Sequence, residues 1–186
     1  MRRNKELWLS FFAILIITSL YAGVIYWTRR IPAAGNFFGH ALGILGFLLM
    51  LSTEIIYSIR KRSRIARWGP MAAWLQFHIF TGLVGPYMVL LHTSWKFNGL
   101  AGITTLLTVI IVVSGFIGRY IYTLIPRTID GTEIEMPDAQ AQTASLARAR
   151  KLLALWHTIH IPIGVALFTA AFIHICAALY YATLLR

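Results

Sequence analysis

Residues 78–92 read HIFTGLVGPYMVLLH, and residues 160–174 read HIPIGVALFTAAFIH. Both runs are histidine, three residues, glycine, nine residues, histidine, so His78, Gly82 and His92 return as His160, Gly164 and His174. Each run lies in a long apolar segment, where an ionisable or ligating side chain is expensive and marks a functional position by default. Fourteen residues of α-helix rise about 21 Å and end about 40° short of four full turns. The two imidazoles of a run therefore leave one helix face, near opposite sides of a hydrocarbon core about 30 Å thick. In a left-handed bundle, with an effective repeat of about 3.5 residues, the remaining drift disappears.

Composition agrees with a membrane setting. The chain has 186 residues, 58% of them hydrophobic, and a mean hydropathy of +0.70. That is too apolar for an ordinary soluble domain, and the expectation is one all-α integral membrane domain. The formal charge of +11 would point to nucleic acid in a soluble protein, but here the cations sit at the ends of apolar spans, so no nucleic-acid partner is expected. Cys176 is the single cysteine, which excludes an intrachain disulfide and a cysteine-ligated cluster; it is expected as a small buried apolar residue. No C-x-x-C-H occurs, which excludes covalently attached haem.

Five spans are predicted. The basic start MRRNKELW leads into an apolar run over Leu7–Trp27, longer than a signal-peptide core of about 7 to 15 residues, and is expected as a retained first helix. The second span covers Phe37–Ile59 and ends in the basic block RKRSRIAR at 60–67; the third covers Met71–His92. The link SWKFNG precedes the fourth, Gly99–Leu124. A polar stretch, 125–151, is expected as a cytoplasmic loop before the fifth span, 152–185. Thirteen basic residues then fall on the N-terminal side of the membrane and only Arg29, Arg30, Lys96 and Arg186 on the other. The positive-inside rule puts the N-terminus in the cytoplasm and the C-terminus outside a plasma-type membrane.

With that topology the third and fifth spans run in the same direction. His78 and His160 are expected at similar inner depth, and His92 and His174 at similar outer depth. Each pair can hold a haem iron between its imidazoles, giving two non-covalent b-type haems. Gly82 and Gly164 would let a flat macrocycle approach the backbone one turn from a ligand. The competing reading is that they are small residues of helix packing.

The remaining candidates each carry two readings. His157 is one turn closer to the cytoplasm than His160 and is either an interfacial histidine or a contact to a haem propionate or a quinone. His40 opens the second span on the outer side and is either a headgroup-level histidine, an outer haem-edge or quinol contact, or a ligand to a further haem shared with a partner subunit. Glu54 is either a snorkelling carboxylate near Arg60 and Lys61 or a proton acceptor of a quinone site. Asp130, Glu133, Glu135 and Asp138 form a solvated acidic loop or a docking surface for a redox partner. Arg67, Arg148, Arg150 and Lys151 on the inner side, and Lys96 on the outer, are topology signals that could also meet propionates.

Two helices separated by one, each with histidines fourteen apart, resemble the four-helix di-haem core of cytochromes b, as in the N-terminal half of the quinol:cytochrome c reductase cytochrome b. The resemblance covers 37–185, makes the first helix (1–30) an addition, and implies His78, His92, His160 and His174 as bis-histidine ligands. Transmembrane ferric reductases and oxidases also pair histidines at comparable spacing. The quinol-site half and any PEWY-like motif are missing from the sequence, and no nicotinamide or flavin domain is present, so neither bifurcated quinol oxidation nor a self-contained reductase is implied.

The expectation is transmembrane electron transfer by a cytochrome b subunit, with donor and acceptor supplied by quinones or by iron–sulfur, flavin or c-type cytochrome partners. A transmembrane reductase of an external acceptor, such as iron or oxygen, is the alternative within redox chemistry. Outside it stands a haem-free membrane anchor. A proton or metal transporter has only the histidines and Glu54 in its favour.

Overall fold

Backbone polar groups find no water in hydrocarbon, so an apolar run that crosses a membrane without a closed barrel must satisfy them as a helix. The computed structural model describes residues 4–62, 69–126, 133 and 140–184, and their regular structure is helical. The helices are α1 (Lys5–Thr28), α2 (Phe37–Arg62), α3 (Met71–His92), α4 (Gly99–Thr123) and α5 (Gln140–Leu184). All five are long and apolar enough to cross a membrane. Their outer faces are as apolar as their inner ones: Leu20, Ile44, Leu106 and Phe172 are each at least 59% exposed. Such a surface suits lipid and would aggregate in water.

The spans match the sequence expectation except at one end. α5 begins at Gln140, so residues 140–151 of the expected loop are helical. The run QAQTASLARARKLLAL is rich in alanine, leucine, arginine and lysine, strong helix formers that extend α5 to 45 residues, about 67 Å. Arg67, Asp130, Glu135 and Asp138 lie outside the described residues.

The helices form two compact units, α1 to α3 and α4 with α5. In the first, α2 and α3 are antiparallel, since partners along the seam descend in α3 as they rise in α2: Gly39 with His92, Gly46 with Gly85, Thr53 with Thr81, Tyr57 with His78. Glycine allows this approach. A Cβ on Gly46 would stand 2.8 Å from the Gly85 carbonyl oxygen, and one on Gly85 would stand 2.9 Å from that of Gly46. Midway, the Thr53 hydroxyl donates to Thr81 Oγ1 at 2.5 Å, and both side chains are buried.

Within this unit α1 packs on α3. Thr18 Oγ1 donates to its own helix at Ile14 O (2.7 Å), so the Tyr87 hydroxyl at 2.6 Å is the donor between the two helices. Tyr21 stacks on Phe38 at 6.2 Å and joins Leu42, Val84, Met88 and Leu91 in the core.

In the second unit Trp156 of α5 fills a notch at Gly118 of α4, where a Cβ would stand 2.2 Å from the indole. Ile121, Ile125, Ala149 and Leu153 form the adjoining core. Farther along, Thr104, Thr105 and Thr108 are buried and return their hydroxyl protons to carbonyls of their own helix, a means of carrying hydroxyls through an apolar layer.

Candidate functional site

The end of the first unit where α1 meets α2 is a set of carbonyls capturing side chains. Arg29 closes α1 in a left-handed conformation, φ 55°, and the chain turns so that Asn36 N–H donates to Ala33 O and His40 N–H to Asn36 O. Three carbonyls of this turn and of early α2 then take partners: Ser94 Oγ bonds Pro32 O at 2.5 Å, His40 Nδ1 bonds Ala34 O at 2.6 Å, and His92 Nδ1 bonds Gly39 O at 2.8 Å. Ser94 and Trp95, directly after α3, both have positive φ, 50° and 63°. Left-handed backbone costs an ordinary residue about 1–2 kcal/mol, here offset by the Ser94 bond and by Trp95 N–H donating to Thr93 Oγ1.

A carbonyl oxygen only accepts, so Nδ1 carries the proton in His40 and in His92. The lone pair is then on Nε2, the tautomer and second-sphere arrangement found in metal-ligating histidines. Gly43 makes way for one of these rings: a Cβ there would stand 2.9 Å from His92 Cγ and Nδ1.

At the other end of the seam His78 faces α2, its ring 4.7 Å from that of Tyr57. Its Nδ1 is buried without a well-formed hydrogen bond, with the Thr53 backbone beside it. His78 and His92 therefore do share one face of α3, as the fourteen-residue spacing requires, and the seam with α2 runs along it.

On α5, Trp156 Nε1 donates to Ser114 O at 2.7 Å and reaches Ser114 Oγ at 3.1 Å; that hydroxyl also meets His160 Nδ1 at 2.9 Å. The indole stacks on the His160 ring, 4.5 Å between centroids and 30° between planes. His160 is thus oriented by a hydroxyl and a ring from two directions. His157 Nδ1 bonds Leu153 O of its own helix at 2.9 Å, which gives it the same tautomer as His92. His174 is half-buried on α5.

Gly82 and Gly164 can be separated from packing glycines on geometry. A Cβ on Gly82 would come no closer than 3.9 Å to Thr53 Cγ2, and one on Gly164 no closer than 4.0 Å to Ile111 Cδ1, both ordinary contacts. Gly39, Gly46, Gly85, Gly102 and Gly118, by contrast, would each clash at 2.9 Å or less. Gly23 and Gly115 are open as well, but neither stands at a matched offset from a histidine. Within their units, close helix packing does not require glycine at 82 or 164.

Glu54 is exposed on the outside of α2, with Ser58 Oγ at 3.3 Å. Cys176, expected to be buried, is exposed: its position on α5 turns it outward, where a thiol is a tolerable small apolar group. Glu133 pairs with Arg150 at 2.8 Å, side chains 28% and 56% exposed, so this acid is engaged at the start of α5. Ser114, Trp156, Gly39 and Gly43 escaped the sequence reading. Their only signal was small residues at helical spacing, GHALG at 39–43 and SGFIG at 114–118, common in any membrane helix.

Among the described residues no group of three or more His, Cys, Asp or Glu side chains is placed to hold a metal ion. Comparison with protein-family models, curated proteins and solved structures finds no match to this chain.

Proposed function

We propose that this protein is the membrane subunit of a redox complex and passes electrons across the bilayer through two b-type haems. The repeat nominates His78, His92, His160 and His174 as axial ligands. The observation that carries the reading is the glycine pair: Gly82 and Gly164 stand at the same offset from His78 and His160, and each has room for a Cβ that it lacks. A packing glycine would be pressed against its neighbour, as Gly46 and Gly118 are.

Bound haem supplies one-electron exchange between ferric and ferrous iron. The chain's own residues do the rest. The imidazoles ligate; the Nδ1 contacts of His92 to Gly39 O and of His160 to Ser114 Oγ orient the rings and tune their basicity. Apolar helix faces keep water away, and Arg148, Arg150 and Lys151 supply cations for propionates on the inner side. Quinones or iron–sulfur, flavin or c-type cytochrome chains are the donors and acceptors. The N-terminus lies in the cytoplasm, in a plasma or inner membrane.

The test is a pyridine haemochrome assay with protein quantification on purified wild type, His92→Ala and His160→Ala. The expected result is near two b haems per chain, with one lost in each variant. Wild-type protein without haem, expressed under haem-replete conditions, overturns the reading and leaves a membrane anchor.

A further inference from the structure

We propose that positions 43 and 57 of α2 decide how the two imidazoles of α3 hold their Nδ1 protons: Gly43 seats His92 on a backbone carbonyl, and Tyr57 keeps His78 off the equivalent one. Both are positioning residues of the proposed haem site. The consequence for redox potential rests on that reading, and the hydrogen-bond assignment does not.

The seam between α2 and α3 repeats itself. As α3 steps back fourteen residues from His92 to His78, the facing residues of α2 step forward fourteen, from Gly39 and Gly43 to Thr53 and Tyr57. Gly46 and Gly85 meet midway, seven residues from Gly39 and His92 on one side and from Thr53 and His78 on the other. Each imidazole therefore faces the same two register positions of α2, one turn apart, but the side chains there differ.

A helical side chain leans towards the N-terminus and covers the turn before its own Cα, so residue i+4 screens the carbonyl of residue i. That carbonyl keeps a second lone pair beyond its helical bond, and the screening side chain decides whether a neighbouring helix can use it. Position 43 carries no side chain. The His92 ring takes the space, since a Cβ on Gly43 would stand 2.9 Å from its Cγ and Nδ1, and Nδ1–H donates to Gly39 O at 2.8 Å. Position 57 carries a phenol ring. The His78 ring lies against it, 4.7 Å between centroids and 45° between planes, and His78 Nδ1 is buried without a well-formed hydrogen bond although the Thr53 backbone is beside it. Lys61 Nζ, 5.9 Å from the Tyr57 ring centroid, adds a cation–π contact that helps to hold the phenol in place.

An imidazole that donates Nδ1–H to a carbonyl is the more basic ligand at Nε2, and a more basic axial ligand favours ferric over ferrous iron. His92 is thus set up as the stronger donor of the two, by the absence of a side chain one turn along a different helix.

Solid-state NMR of the purified full chain in bilayers, with histidine labelled by 15N and any haem reduced, reads the hydrogen bonds. Signals are assigned through His92→Gln and His78→Gln. A downfield, hydrogen-bonded Nδ1 proton is expected for His92 and not for His78. Gly43→Ala removes it from His92 alone. Tyr57→Gly, which copies the opening at 43, creates one at His78 alone, whereas Tyr57→Leu, which removes the ring current but keeps the bulk, does not. A redox titration reads the consequence. Gly43→Ala is expected to raise one midpoint potential and Tyr57→Gly to lower the other, each by about 59 mV for a tenfold change in ferric over ferrous affinity. The assignment is overturned if His92 and His78 show the same Nδ1 state in wild type, if Tyr57→Gly leaves His78 unchanged, or if Tyr57→Leu reproduces Tyr57→Gly. Haem-free wild type ends the haem reading and the titration with it, and the NMR outcome still decides the hydrogen bonds.

Discussion

Gly46 and Gly85 let α2 and α3 approach closely: a Cβ on either would stand within 2.9 Å of the other's carbonyl oxygen. Replacing either with alanine must part the helices, and overpacking of this kind costs about 1–3 kcal/mol. Gly46→Ala and Gly85→Ala are each expected to lower the thermal unfolding midpoint in detergent. Because either change opens the same seam, the double variant should lose less than the sum of the two. A double-mutant cycle by thermal denaturation measures this, and strict additivity would show that the two glycines act separately.

Gly82 and Gly164 should behave in the opposite way. A methyl group fits at both, so Gly82→Ala and Gly164→Ala are expected to leave the stability of the haem-free protein within about 0.5 kcal/mol of wild type. Haem content should fall, and fall further in Gly82→Leu. Stability lost without loss of haem would make them packing glycines after all.

Ser114 stands between an indole and an imidazole. Ser114→Ala leaves the Trp156 bond to the Ser114 carbonyl but removes the His160 contact, a loss of about 0.5–1.5 kcal/mol in stability. On the proposed haem reading, in which His160 is a ligand, the change is also expected to weaken haem binding by about 10–100-fold. Haem transfer to an apoglobin reads the second effect, and Ser114→Thr, which keeps the hydroxyl, should restore most of it.

The Arg150–Glu133 pair is a contrast. Both side chains are partly in solvent, and such pairs contribute about 0–1 kcal/mol, reduced by salt. Glu133→Gln is expected to shift stability by less than about 0.5 kcal/mol, with no change in haem content. A large loss in a thermal melt would show that this contact holds the start of α5.

The distribution of cations predicts a membrane orientation that labelling can test. In a Cys176→Ser background, Asn4→Cys and Ser145→Cys should be protected from an impermeant maleimide in intact cells, and Asn36→Cys and Lys96→Cys labelled. The reverse pattern would invert the topology.

The spans, and the common face of His78 and His92, are legible because hydrophobic length and a repeated spacing are local, one-dimensional signals. Twenty apolar residues must become a helix in lipid, and fourteen residues on a helix return to the same face whatever lies opposite. The helical start at Gln140 is hidden in the sequence because 140–151 is polar like a loop, while its alanine-rich composition carries the helix propensity. The exposure of Cys176 is not legible in the sequence, because an apolar helix offers no amphipathic pattern to tell its covered side from its lipid side.

By itself the sequence determined an all-helical chain of five candidate spans and the common face of His78 and His92 on α3. Only the tertiary structure decided what that face meets: Tyr57 at one end, and at the other the Gly39 carbonyl, the gap left by Gly43 and the ring of His40. It also decided which glycines are packed and which are open. A glycine has the same letter in either case; the difference is the distance to a neighbouring helix, which is fixed when the seam closes.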